Sequence, residues 1–365
     1  MKKYYLIAVV LFSSLAYAQD GTLKEQPVNG STMTVCSYDA VKKSIDLPLS
    51  RIADDCKLIH FEDVDDALFK PWFTTVTDKY IGVRQEGRPY KLFSSSGKFL
   101  CDVGAVGQGP GEYALAIYDD WIDDKNDLIY LAPMTGDKIL VYNISGKFLK
   151  NITAPQRLHK PKIHVSADGT LSVVHMAFDG EKAVAFQFDK DGKLIKTLEP
   201  LTHLLLNNYD NEIFNTRCSS AFDFTFTNCD TMYQYSAERN KIEPVFNVKF
   251  NSSEKPFMQY IKLNNSCIVN VFGKKQIIYA DLEEKTSSFV KIKNDFFGGL
   301  GIFPSVMTFR NGWFVWNLEP GQLMEEIEKR LKESDCTSQD KEKLTKLLKS
   351  LDDNANNVLF LGKLK

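Results

Sequence analysis

Five histidines, His60, His159, His164, His175 and His203, bound the acid–base and metal chemistry open to this sequence. Nucleophilic hydrolysis needs a serine or cysteine beside a positioned base, and no GxSxG elbow occurs. The seven cysteines include no CxxC and no Cys/His cluster, so zinc has no ligand set at a recognised spacing. His159, His164 and His175 would seed a metal site only if carboxylates met them at one mouth of a channel. Asp189–Gly192 opens like a calcium loop, yet Pro200 stands where the twelfth-position glutamate belongs. The stretch GAVGQGPGEY at 104–113 could turn backbone N–H groups toward an anion. It lacks a GK[ST] ending, and Pro110 with no helix behind it removes the P-loop and dinucleotide readings. The plainer role of Gly107, Gly109, Pro110, Gly111 and Glu112 is structural, a sharp crossing in which glycine permits positive φ. No catalytic residue, metal ligand or cofactor is therefore assigned.

Any site must be positioned by the elements around it, and those repeat. YKLFSSSGKFL at 90–100, ILVYNISGKFLK at 139–150 and AFQFDKDGKLIKTL at 185–198 each read as strand, glycine turn and strand. The glycines Gly97, Gly146 and Gly192 are 49 and 46 residues apart, a period of propeller blades and similar arrays. The frame continues with turns near Asn240 and Lys285. A sixth unit starts at Pro304–Arg310 and Gly312–Leu318, where Asn311-Gly312 signals a tight turn. Its third strand is displaced to Asn357–Leu364. Its fourth must come from the N-terminus, from Lys43–Leu49 or Lys57–Phe61, and that pairing closes the ring and removes two free edges. The expected fold is all-β, a six-bladed β-propeller closed by an N-terminal strand, occupying 36–365.

The interruption at 320–354 reads as a two-helix insert in the last blade. Leu323, Ile327 and Leu331 recur at helical spacing, as do Leu344, Leu347, Leu348 and Leu351, and Pro320 suits a first turn. Such stripes most simply pack on each other and on the propeller. The insert and the connections between blades share one face, the usual ligand face of propellers. Inner strands begin there, which nominates Trp72, Tyr113, His164 and Arg217 as ligand-binding residues. Aromatic rings would stack on a sugar or grip a peptide, and Arg217 would hold a carboxylate.

Address and partners follow from composition. Lys2, Lys3, the apolar run 6–15 and Ala16-Tyr17-Ala18 read as a signal peptide over 1–18, cleaved before Gln19, with 19–35 a flexible segment. That predicts an exported protein, periplasmic or extracellular, with no membrane span. A formal net charge of -2 with scattered basic residues gives no footprint for nucleic acid. Export permits disulfides, and Cys218 with Cys229 is the first pair to test.

GKFL followed by VGAVGQGPGEY and by the strand Asp119–Asp123 resembles a family of exported bacterial six-bladed β-propellers related to the NHL-repeat group. LDDNANNVLFLGKLK, Asp230–Tyr233 and IDLPLSRIADDCKLIHFE carry the same resemblance over about residues 36–365. The resemblance implies the fold and an envelope or extracellular address, and no activity. Many members of that family are lipoproteins, whereas this chain has no lipid-accepting cysteine after its signal peptide. The function expected is binding of a small molecule, glycan or protein without catalytic machinery. The alternative is a metal-dependent hydrolase or lyase acting on carbohydrate or lactone. Carboxylates and histidines clustered on the channel floor would mark the enzyme, and an aromatic mouth the binder.

Overall fold

The computed structural model describes residues 21–227, 229–253 and 256–365. The expected signal peptide over 1–18 and its expected cleavage before Gln19 lie outside the described residues. Six antiparallel blades form a ring, a β-propeller. From inner to outer strand, blade 1 is Phe73–Val76, Tyr80–Arg84, Tyr90–Ser94 and Phe99–Val103, and blade 2 is Ile117–Asp123, Leu128–Pro133, Thr135–Asn143 and Phe148–His159. Blade 3 is Lys162–Val165, Leu171–Val174, Ala185–Phe188 and Leu194–Leu198; blade 4 is Ile213–Phe214, Phe222–Phe226, Thr231–Ser236 and Lys241–Lys249. Blade 5 is Met258–Lys262, Ser266–Val271, Gln276–Asp281 and Thr286–Asn294, and blade 6 is Phe309–Arg310, Trp313–Leu318, Val358–Lys363 and Lys57–His60.

Closure uses the second of the two strands the sequence offered. Lys57–His60 pairs antiparallel with Val358–Lys363, Leu359 facing Ile59. Ser44–Pro48, inside the other candidate, instead runs parallel to the outer strand of blade 5, with Ser44 opposite Phe289. Within the segment 19–35, expected to be flexible, the described residues from 21 onward carry structure. Leu23–Val28 and Ser31–Ser37 form a hairpin whose second strand lies parallel to the outer strand of blade 4. An outer strand presents unpaired backbone groups, and Leu23, Met33, Val35 and Cys36 are buried in covering this one. Those few apolar residues among polar ones were too sparse to announce a hairpin.

The recurrent glycine is a blade-to-blade contact. Gly97 and Gly146 hold φ of +87° and +77°, and a Cβ on either would stand 2.4 Å from a backbone oxygen, that of His60 and of Asp102. Both oxygens belong to the outer strand of the preceding blade. Glycine therefore satisfies two conditions at once, a left-handed turn and a close approach. In blade 4 the same turn is made by Asn240 at φ +49°, and its Nδ2 donates to Thr197 O at 2.8 Å, again on the preceding outer strand. The motif lost its glycine there and kept its contact.

Apolar residues sort into clusters between neighbouring blades. Phe61, Ile81, Val83, Phe93 and Leu359 fill the joint of blades 6 and 1, and Leu92, Ile117, Ile129 and Leu140 that of blades 1 and 2. Helix α1, Pro320–Leu331, and helix α2, Ser338–Lys349, connect the second and third strands of blade 6. Pro320 occupies the first turn of α1, and the Thr337 hydroxyl caps α2 by accepting from Asp340 N. Leu323, Ile327 and Leu344 are fully buried and join Phe309, Phe314, Val358 and Phe360 in the core between blades 5 and 6. The insert is thus part of the propeller core. Cys218 lies in that same cluster, whereas Cys229 packs beside Tyr233 between blades 3 and 4, its Sγ 3.8 Å from the Tyr233 hydroxyl. The two are not joined.

Candidate functional site

Strands alternate in direction through each blade, so one face carries the crossings between blades and helices α1 and α2. The other carries the turns joining the first to the second strand and the third to the fourth. This second, turn face holds the axial mouth, a pocket of about 360 Å³. Five blades supply its lining: Thr75–Asp78 from blade 1, Trp121 from blade 2, His164 from blade 3, Arg217 and Ser219 from blade 4, and Asn311 and Trp313 from blade 6.

The four residues expected at a single mouth are divided between the two ends of the molecule. His164 and Arg217 meet at the turn face. Trp72, just before the inner strand of blade 1, lies at the crossing face in a separate pocket of about 350 Å³ with Phe303, Met307, Trp316 and Gln322. Tyr113 lines neither pocket. It is 2% exposed, its hydroxyl accepting from Tyr90 N at 2.7 Å and donating to Val103 O at 3.0 Å, and burial pushes its pKa up to about 12. Its ring fills the joint of blades 1 and 2, which leaves it no surface for a ligand. The glycine crossing is likewise internally engaged. Glu112 Oε2 accepts from Gly109 N at 2.8 Å, Gly107 N donates to Tyr113 O, and the Tyr142 hydroxyl donates to Gly111 O at 2.7 Å.

At the mouth, the His164 ring stands edge-on to Trp121, with centroids 4.8 Å apart, and stacks on Phe222 at 5.9 Å. Burial, with the Arg217 charge adding to it, lowers the His164 pKa to about 4, so the ring is neutral near pH 7 and its Nδ1 has no hydrogen-bond partner. Trp313 forms the facing aromatic wall, with Lys363 Nζ 5.2 Å from its ring centre and 3.0 Å from Asp78 Oδ1. Thr77 Oγ1 donates to Asp124 Oδ1 at 2.7 Å and accepts from Tyr80 N at 3.0 Å. Two indoles, a neutral imidazole and a rim of hydroxyl, amide and carboxylate groups suit a ring-shaped polar ligand.

Beneath the mouth lies an ionic lattice. Asp119 and Asp120, adjacent on the inner strand of blade 2, are fully buried. Arg310 Nη2 from blade 6 donates to Asp119 Oδ1 at 2.6 Å and to Asp120 Oδ1 at 3.3 Å. Arg84 of blade 1 has its Nε 3.0 Å from Asp120 Oδ1, and Arg217 of blade 4 donates to Asp120 O at 2.7 Å with Nη2 3.5 Å from Asp119 Oδ1. Tyr90 donates to Asp120 Oδ2, and Ile163 N from blade 3 to Asp119 Oδ2, each at 2.9 Å. Burial alone would raise both aspartate pKa values, but the surrounding cations overcome it and hold both carboxyls below their ordinary range. Sequence reasoning did not assign the lattice. Its signal was available in charges set inside apolar strands, as in IGVRQ, IYDDWI and TFRNG, since unpaired charge is seldom buried.

The remaining histidines make no ligand cluster. His159 Nε2 lies 3.1 Å from Glu181 Oε1 and His175 Nδ1 3.9 Å from Glu181 Oε2, so the two rings address different oxygens of one carboxylate. They stand at the crossing face, His159 at the end of the outer strand of blade 2 and His175 just after the second strand of blade 3, away from His164. Among the described residues no three His, Cys, Asp or Glu side chains are grouped so as to hold a metal ion.

Solved structures with the same architecture share little sequence with this chain. A protein of Bacteroides fragilis NCTC 9343 whose export is itself inferred superposes with a TM-score of 0.62 at 16% identity, covering 89% of this chain and 99% of that one. Virginiamycin B lyase from Staphylococcus aureus (TM-score 0.45, 15% identity, 67% and 76% coverage) and the periplasmic gluconolactonase of Pseudomonas aeruginosa (0.41, 10%, 73% and 74%) are more distant. The first likeness shows the fold, and the other two carry no argument. No curated protein matches the sequence. The model of one family, described as a domain of unknown function (DUF4934), matches residues 33–363, nearly all of the blades and their closure, and the chain belongs to that family.

Proposed function

We propose that this is an exported binding propeller that takes a ring-bearing polar ligand, a glycan or a similar small molecule, at the axial mouth of its turn face. The observation that carries the reading is the convergence of five blades on one pocket walled by Trp121 and Trp313, with neutral His164 between hydrogen-bonding groups. Indole faces favour sugar rings, and the surrounding hydroxyls and amides would set orientation. The charged N-terminus, short apolar run and small residues of Ala16-Tyr17-Ala18 support export. No helix among the described residues is long and apolar enough to cross a membrane.

The test is a glycan and metabolite screen on the mature protein, read by thermal shift, because a ligand that prefers the native state raises the melting temperature. For a ligand so found, Trp121→Ala and Trp313→Ala are each expected to weaken binding about two- to tenfold, the scale of one lost stacking contact. Trp72→Ala, at the opposite end, should leave binding unchanged. If Trp72→Ala abolishes binding and both mouth variants retain it, the ligand belongs to the crossing face and the assignment is wrong.

A further inference from the structure

The axial lattice is unbalanced. Arg84, Lys162, Arg217 and Arg310, between 1% and 9% exposed, converge on only two carboxylates, Asp119 and Asp120. Lys162 Nζ sits 4.1 Å from the centre of the Tyr118 ring and 3.4 Å from Tyr118 O. Burial lowers the Lys162 pKa well below the ordinary lysine range, and even with Lys162 left out of the count three guanidinium groups face two carboxylates. Uncompensated charge in an interior is strongly destabilising, so proteins pair it or bind a counterion.

Unused donors mark where the compensation belongs. Arg84 Nε and Nη2, Arg217 Nε and the Asn215 Nδ2 are buried without a hydrogen-bond partner. Arg84 Nε, although close to Asp120, does not direct its hydrogen at that carboxylate. All three residues touch the same hub. Arg84 and Arg217 contact Asp120, and Asn215 O accepts from Arg310 Nη1 at 3.4 Å. Arg217 and Thr75 line the mouth above, and Thr75 Oγ1 accepts from Arg310 Nε at 3.3 Å, so the lattice is continuous with the pocket.

We propose that the propeller axis binds one small monovalent anion, a halide or a carboxylate, against Arg84, Arg217 and the Asn215 amide. Guanidinium and amide N–H groups suit either anion, and the two sources separate by experiment. The site lies beneath the ring-binding mouth and does not depend on that reading.

The mature protein is transferred into a bulky sulfonate buffer, and its melting temperature is followed as chloride, bromide, formate or acetate is added separately at constant ionic strength. A stoichiometric site gives a melting temperature that climbs with the logarithm of anion concentration above its Kd. A rise with chloride and bromide assigns a free halide, and a rise with formate and acetate alone assigns a carboxylate. Crystals grown with bromide should then show an anomalous peak within hydrogen-bonding distance of Arg84 or Arg217 in the halide case. Arg84→Met is expected to abolish the anion dependence. Should that variant fail to fold, the wild-type titration and diffraction still decide. Flat melting curves in all four series, with no bromide at the axis, overturn the proposal, as does a folded Arg84→Met protein with undiminished anion dependence.

Discussion

His164 and His175 are two of the residues through which acidity acts on this fold. Burial is the main cause that takes each imidazole down to about 4, from an ordinary value of 6.5. Above pH 6.5 both the folded and unfolded chains hold these rings neutral. Between pH 6.5 and 4 the unfolded chain takes up protons that the folded chain refuses, so stability falls as the pH drops through that window. Asp119 and Asp120 have the same sign of linkage, but their folded pKa values are depressed below the carboxylate range, so their loss comes only at lower pH. The melting temperature should therefore decline from pH 7 to pH 4, and His164→Gln combined with His175→Gln should flatten that decline. Parallel slopes for wild type and double variant would remove these histidines from the account. None of this was visible in the residue types. A histidine in a strand is equally compatible with a polar rim, and burial, which decides its proton, is a property of the packed ring.

Helices α1 and α2 show what an element contributes once it is placed. Leu323 is fully buried beside Ile327, Phe309 and Phe360. Arg330 Nε donates to Gly298 O at 3.0 Å, and Leu344 packs where a Cβ on Gly298 would stand, at 2.6 Å. Leu323→Ala should cost about 2–5 kcal/mol, the range for cavities left by buried leucines, measured by urea denaturation. A loss under about 0.5 kcal/mol would mean the insert is a detachable appendage. The spacing of its leucines identified both helices, because a 3.6-residue period is local information. What lies under the stripe is not local: the floor comes from residues 47–58 and 261–302 as well as from blade 6.

For the molecule as a whole, the closing strand pair is the seam of the ring. Lys57–His60 and Val358–Lys363 bring together chain segments some 300 residues apart in register, and Asn356 Nδ2 reinforces the seam by donating to Glu62 O at 2.9 Å and Ala67 O at 3.0 Å. Ile59→Pro removes a ladder donor and strains the strand. It should lower the melting temperature and open the seam to limited proteolysis near residues 53–62 before the rest of the chain is cut. Proteolysis that starts instead in blades 2 or 3 would show that the seam does not control opening.

The sequence by itself determined the number of blades, the strand phrase, the interrupted last blade and the need for an N-terminal closing strand. Each follows from patterns within a few tens of residues: alternating apolar positions, a glycine at a left-handed turn, a helical stripe. The tertiary structure alone decided which candidates reach a pocket and at which end of the channel. A strand residue advances about 3.3 Å, so His164, third in an inner strand of four, has already travelled toward the mouth opposite Trp72. It alone also assembled the lattice, because Arg84, Asp119, Asp120, Arg217 and Arg310 come from four blades and meet only when the ring closes.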